Sequence, residues 1–128
     1  MNERVVIAGA GHAAGQVAAS LRQNKFAGEI VLVGDEPYLP YQRPPLSKKF
    51  LAGELPAERL YVKPASFYDD AKVELHLDTS IVALDRQAQY LCVEDGENLE
   101  YDRLVLALGS RGRQLQVDGS GVSGVHGL

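Results

Sequence analysis

Val5-Val6-Ile7-Ala8-Gly9-Ala10-Gly11-His12-Ala13-Ala14-Gly15 decides the fold. Its first four residues are an apolar, mostly β-branched run, the pattern of a strand buried on both faces. The glycines break that run. Ala14, Val17, Ala18 and Leu21 then recur at helical spacing. Placed between a strand and a helix, the segment matches G-x-G-x-x-G/A. Gly9 permits a tight turn, Gly11 lets the backbone approach a pyrophosphate, and Ala14, with Gly15 beside it, lets the helix close on the strand. The helix N-terminus offers free N–H groups and a positive dipole end to phosphates. His12 and Ala13 lie between these glycines and Ala14, so Gly9, Gly11, His12, Ala13 and Ala14 form the first candidate binding set.

Gly28 ends the connection after the helix, and Ile30-Val31-Leu32-Val33 is a second buried run. A strand–helix–strand unit with parallel strands follows. Asp35 stands 20 residues after Gly15, where a carboxylate is expected to accept hydrogen bonds from adenosine ribose hydroxyls. Glu36 follows it. Two acids with no arginine nearby predict repulsion of a 2′-phosphate. Both NAD and FAD present the same ADP half to such a unit, so these features leave the choice between them open.

Further on, Pro37, Pro40, Pro44 and Pro45 exclude a regular helix or central strand. Ser47 is expected to cap a short helix through Leu51, and a helix is expected from Ala65 to Ala71. Val73–Leu77, Ser80–Asp85, Tyr90–Glu94 and Leu99–Tyr101 read as strands, with Asp95-Gly96 as a turn. Leu104–Leu108 reads as another buried parallel strand ending at Gly109. The expected class is α/β: a Rossmann-like parallel sheet with an inserted antiparallel β-meander in place of one helical crossover. Residues 1–110 are read as the binding domain and 111–128, rich in Gly, Ser and Gln, as a linker.

The 128 residues suffice for one domain with a hydrophobic core. A net charge of −4 and the lack of a basic block give no sign of nucleic-acid binding. No apolar stretch approaches the ~20 residues of a membrane span, and Met1–Arg4 lacks a signal-peptide pattern, so the expected location is the cytoplasm. The single cysteine, Cys92, excludes an internal disulfide or a cysteine-based metal cluster. His12, His76 and His126 show no metal-ligand spacing. No metal site is expected.

Pro40-Tyr41-Gln42-Arg43-Pro44-Pro45-Leu46-Ser47-Lys48 separates FAD from NAD by resemblance. Together with Gly34-Asp35-Glu36-Pro37 and Leu104–Gly109, it resembles the FAD-dependent ferredoxin reductases of the rhodocoxin and palustrisredoxin reductase type. The resemblance runs from about Val5 to Gly109 and weakly through Gly124-Val125-His126. It implies FAD as cofactor, NADH as electron source and a two-iron ferredoxin of an oxygenase system as partner. It further implies that Arg43 contacts FAD phosphate and that Lys48, the one candidate catalytic residue, lies beside the reactive ring nitrogen of the flavin. The backbone of Val82 would meet the adenine. Ala107-Leu108-Gly109 stands where the family has Ala-Thr-Gly, with Ala107 and Gly109 closing over the cofactor. Arg111 follows closely and reads equally as a phosphate contact or as a solvated cation. Taken alone, Arg43–Lys48 reads sooner as an exposed proline turn with solvated cations. Family members are much longer, with a second glycine motif for NADH and a segment that returns to the FAD site. No second glycine motif follows strand-like sequence after Gly15, so this chain is expected to be the first part of such a reductase. The alternatives are a dinucleotide-binding module without turnover and a plain NAD-binding Rossmann domain.

Overall fold

The computed structural model describes residues 2–127. Four parallel strands form the main sheet: β1 (Arg4–Ala8), β2 (Glu29–Val33), β3 (Val73–His76) and β7 (Arg103–Leu106), in the order β3-β2-β1-β7. A separate antiparallel sheet, the meander, comprises β4 (Ile81–Asp85), β5 (Tyr90–Val93) and β6 (Asn98–Glu100). The helices are α1 (His12–Gln23) and α2 (Ala65–Asp70).

The two apolar runs form the central strands because both of their faces are covered. On one face Val5, Ile7, Ile30 and Leu32 pack with Ala14 and Ala18 of α1 and Tyr68 of α2. The expected helical stripe holds: Val17 and Leu21 join the same cluster. On the other face Val6, Ala8, Val31 and Val33 meet Leu91, Val93 and Leu99 of the meander. The meander thus fills the layer that a second helix would occupy. Full burial of each such aliphatic side chain contributes about 1.5–3 kcal/mol, so these layers dominate stability. Arg22, near the end of α1, donates to the carbonyls of Ala71 (2.7 Å), Phe26 (2.7 Å) and Gly28 (2.8 Å), tying the two helices to the β2 connection.

Two expectations need correction. Ser47 does not cap a helix through Leu51. It ends a 3-10 turn over Pro44–Ser47, with the prolines in its first positions, and residues 48–53 continue as turns. The prolines remove the backbone donors that an α-helix would need. The strand read as buried over Leu104–Leu108 is parallel but shorter, and it lies at the sheet edge. It pairs only with β1, and Leu106 is 60% and Leu108 66% exposed. An apolar run reports tolerance of burial, not the presence of a covering layer. Residues 107–127 form no helix or strand. Among the described residues, no helix is long and apolar enough to cross a membrane.

Tyr68 carries a cost within this core. It is 1% exposed and its hydroxyl has no hydrogen-bond partner. Burial pushes its pKa up to about 12. The unfolded chain releases that proton near its ordinary value of about 10, so the resulting stability loss begins there and grows as pH rises toward 12. Tyr68→Phe should raise unfolding free energy near neutral pH by about 1 kcal/mol and flatten the alkaline limb of stability. Urea denaturation at pH 7 and pH 11 checks both, and a less stable variant at both pH values would refute the account.

Candidate functional site

The candidate site lies at the C-terminal ends of β1, β2 and β7, the place where ligands sit in open parallel sheets. The chain leaves β1 through Gly9, whose N–H donates to the Val33 carbonyl (2.7 Å). Gly9 has φ +122°, and a Cβ there would overlap the Ala107 carbonyl oxygen. Glycine is therefore enforced at this position twice, by dihedral angle and by the neighbouring strand. Gly34, at the end of β2, is packed equally closely on Ala10. Gly11 differs from both: a Cβ there would meet nothing within 4 Å. It precedes α1 in an extended conformation, without a side-chain cap and with no acid in the first turn. The first-turn N–H groups of His12, Ala13 and Ala14 have no carbonyl within the helix to bond. Open space in front of free N–H groups fits a pyrophosphate.

Ala14 is fully buried against the strands, as expected. Gly15 is committed elsewhere: a Cβ on it would lie 2.7 Å from Pro40 Cβ. The fully buried Pro40 thus docks the proline-rich loop on α1. Pro40 accepts from Val62 N–H (2.9 Å), Gln42 N–H donates to the Leu60 carbonyl (2.8 Å), and Tyr41 bridges Tyr61. These contacts close the base of the loop, and Lys48 and Arg43 stand on its exposed part.

The acids at the end of β2 are not equivalent. Asp35 is exposed, whereas Glu36 belongs to a closed cluster. Arg43 Nη2 donates to Glu36 Oε1 (2.6 Å), Tyr41 Oη donates to Glu36 Oε2 (2.7 Å), and Arg43 Nη1 donates to Tyr41 Oη (3.0 Å). The guanidinium also lies over the Tyr41 ring at 4.9 Å. This corrects the expectation of two acids without an arginine nearby: Arg43 neutralises Glu36, which leaves Asp35 as the free carboxylate. Burial alone would raise the Glu36 pKa, but the hydrogen bonds from Arg43 and Tyr41 and the Arg43 charge outweigh it and hold the carboxyl below its ordinary value. The stabilisation that this cluster gives is therefore present above the ordinary glutamate range and is lost as pH falls through the lowered value.

A family model for the pyridine nucleotide-disulphide oxidoreductases matches residues 3–128. The chain belongs to this family. It is 48% identical over 99% of its length to the probable ferredoxin reductase CtmF of Castellaniella defragrans, and 46% identical over 97% to rhodocoxin reductase of Rhodococcus erythropolis. It spans only 31% and 29% of those proteins. Its fold matches the reductase in a covalent putidaredoxin reductase–putidaredoxin complex with a TM-score of 0.88 and 43% identity, over 92% of this chain and 28% of that one.

The other expected residues are placed by the structure as follows. Lys48 is exposed just after the 3-10 turn, its Nζ 3.4 Å from the Pro44 carbonyl. Val82 is 61% exposed and is the bulged residue where the β4–β5 register shifts, so its backbone stands out of the ladder. Ala107 donates its N–H to the Ala8 carbonyl (2.8 Å) beside the glycine loop. Gly109 has φ +72° and Arg111 is exposed in the tail. His12 is exposed at the first position of α1. The structure thus gathers Gly9, Ala107 and Gly34 around one loop and binds Glu36 to Arg43.

Sequence reading did not single out Gly34, nor the contact of Tyr41 with Glu36 and Arg43. Only the small residue directly after β2 hinted at the first. The second had no local signal, because its partners meet across an irregular loop. Gly119-Ser120-Gly121-Val122-Ser123-Gly124 repeats the glycine spacing, but it lies in successive turns with no strand before it and no helix after it among the described residues, so it presents no helix N-terminus.

The two loop glycines predict opposite behaviour. Gly9→Ala should lower stability by about 2–6 kcal/mol, from the left-handed dihedral plus overlap with Ala107. Gly11→Ala should leave stability within about 0.5 kcal/mol. Equal denaturation midpoints for the two variants would overturn the assignment of Gly11 to an open face.

Proposed function

We propose that this chain is the adenine-dinucleotide-binding N-terminal portion of an NADH-dependent ferredoxin reductase, and that its dinucleotide is FAD. The observation that carries the reading is the open space at Gly11 in front of the uncapped start of α1, flanked by carboxylates at the end of β2 and by an arginine. The likeness to ferredoxin reductases over nearly the whole chain supports it.

In this reading the amides of Gly11, His12, Ala13 and Ala14 hold the pyrophosphate, with Gly9 shaping the turn. Asp35, and Glu36 through its remaining acceptor capacity, face the adenosine ribose. Arg43 adds charge-assisted hydrogen bonds to phosphate. The bulged Val82 backbone faces the adenine. Ala107 and Gly109 close the opposite wall, with Arg111 within reach of phosphate. Lys48 would hold its positive charge beside the flavin ring and favour negative charge there. When bound, FAD would supply the redox chemistry, namely hydride acceptance from NADH and one-electron transfer to a two-iron ferredoxin. NADH binding is assigned to sequence outside these residues. Residues 1–110 are then the binding unit and 111–128 the connection onward.

A second reading, dinucleotide binding without turnover by this chain alone, is favoured by the uncovered β7 edge with its exposed Leu106 and Leu108. NADH turnover with a dye acceptor by this chain alone would exclude the second reading.

The purified chain, incubated with FAD and desalted, should keep flavin absorption bands, and Gly11→Ala should lose them while remaining folded. A wild-type chain that stays colourless while binding NAD would overturn the FAD assignment. Lys48→Ala should retain FAD but make its reduction potential more negative, measured by equilibration with a reference dye; an unchanged potential would remove Lys48 from the flavin.

A further inference from the structure

We propose that Tyr41 is a positioning residue for phosphate binding: by occupying Glu36 Oε2, its hydroxyl stops Glu36 from closing a two-point fork on Arg43, and so keeps the guanidinium presented to an anion. The proposal rests on the reading above, in which Arg43 serves the phosphates of the dinucleotide.

A carboxylate beside an arginine tends to pair with it through two parallel N–H···O bonds. Here it does not. Glu36 meets Arg43 through Oε1 alone, because Oε2 accepts the Tyr41 hydroxyl at 2.7 Å. The same hydroxyl oxygen accepts from Arg43 Nη1 at 3.0 Å. Each member therefore spends one contact on each of the others. A guanidinium has five N–H donors, and this arrangement uses one on each terminal nitrogen. Nε–H and a second hydrogen on each terminal nitrogen stay available to a phosphate.

Tyr41 is built to hold this position. Its backbone is fixed by the bridge to Tyr61, and its ring is half-buried and met edge-on by Tyr38 at 6.4 Å. The Arg43 side chain is 55% exposed, and ordering such a long side chain costs rotamer freedom. Stacking on Tyr41 meets that cost before any ligand arrives. Without the hydroxyl, Glu36 Oε2 is free to take a second N–H from Arg43. The closed pair would then compete directly with phosphate.

The test compares ADP with adenosine, by calorimetry on the 128-residue chain at fixed ionic strength. The ratio of their dissociation constants isolates the phosphate contribution, which a general loosening of the fold would not move. Tyr41→Phe keeps the ring and should cut the preference for ADP about three- to tenfold, with adenosine affinity unchanged. Adding Glu36→Gln to Tyr41→Phe should restore much of the preference, because no carboxylate remains to close the fork. An unchanged ratio in Tyr41→Phe, or no recovery in the double variant, overturns the proposal. A wild-type chain that binds ADP no better than adenosine refutes the phosphate role of Arg43 itself, and binding of neither removes the site and the proposal together.

Discussion

The approach of Gly9 to the Ala107 carbonyl is the contact on which the ligand end of the sheet depends. It is a steric constraint rather than an attraction, since no side chain fits between the end of β1 and the end of β7. Once that gap is closed, the Ala107 N–H reaches the Ala8 carbonyl and the Gly9 N–H reaches the Val33 carbonyl, so the turn is fixed from both neighbouring strands. Gly34 against Ala10 and Pro40 against Gly15 close the remaining sides. Only at Gly11 does the loop face open space. That open face is what remains after the other sides of the loop have been packed.

The two ends of the sheet are treated differently. At the strand starts Arg4 pairs with Glu29 and Glu74 and receives Asp102 on its backbone N–H, while Arg103 pairs with Glu3. These exposed pairs are worth no more than about 1 kcal/mol each, and they fix strand register more than they stabilise. At the strand ends charges are sparser and partly unpaired, with Asp35 and Lys48 exposed. The apolar layers on both faces carry the stability, which leaves the polar groups of the upper rim free to meet a ligand. The fold therefore separates the residues that hold it together from the exposed polar residues of that rim.

The sequence made β1, α1 and β2 legible because their burial is uniform, and uniform burial leaves a periodic or continuous apolar trace. The meander strands were legible from turn signals such as Asp95-Gly96. β7 was legible as a strand but not as an edge, because Leu104–Leu108 reads the same whether or not a layer covers it. The short helix expected from Ser47 failed because the two prolines before it favour a tighter turn. In the candidate site, the glycine loop and Asp35 follow fixed offsets and could be read directly. The contact of Glu36 with Tyr41 and Arg43 could not. It is made across a chain reversal without regular period, and no pairwise spacing encodes it. Gly15 was read as a helix–strand contact and instead serves Pro40, a partner 25 residues away in an irregular segment.

The closed base of the proline-rich loop has a consequence for how such a molecule can diverge. Pro40, Gln42, Leu60 and Val62 clasp one another through backbone hydrogen bonds, and Tyr41 bridges Tyr61. Hydrogen bonds of this kind are indifferent to the side chains they join. Between them the chain forms its own turns and leaves most of its surface to solvent. Doubling the length of a flexible loop closed in this way costs only about 0.6 kcal/mol in entropy. The segment between the clasped ends is therefore an exchangeable cassette: insertions and substitutions there can retune what the loop presents, while the sheet beneath it is inherited unchanged.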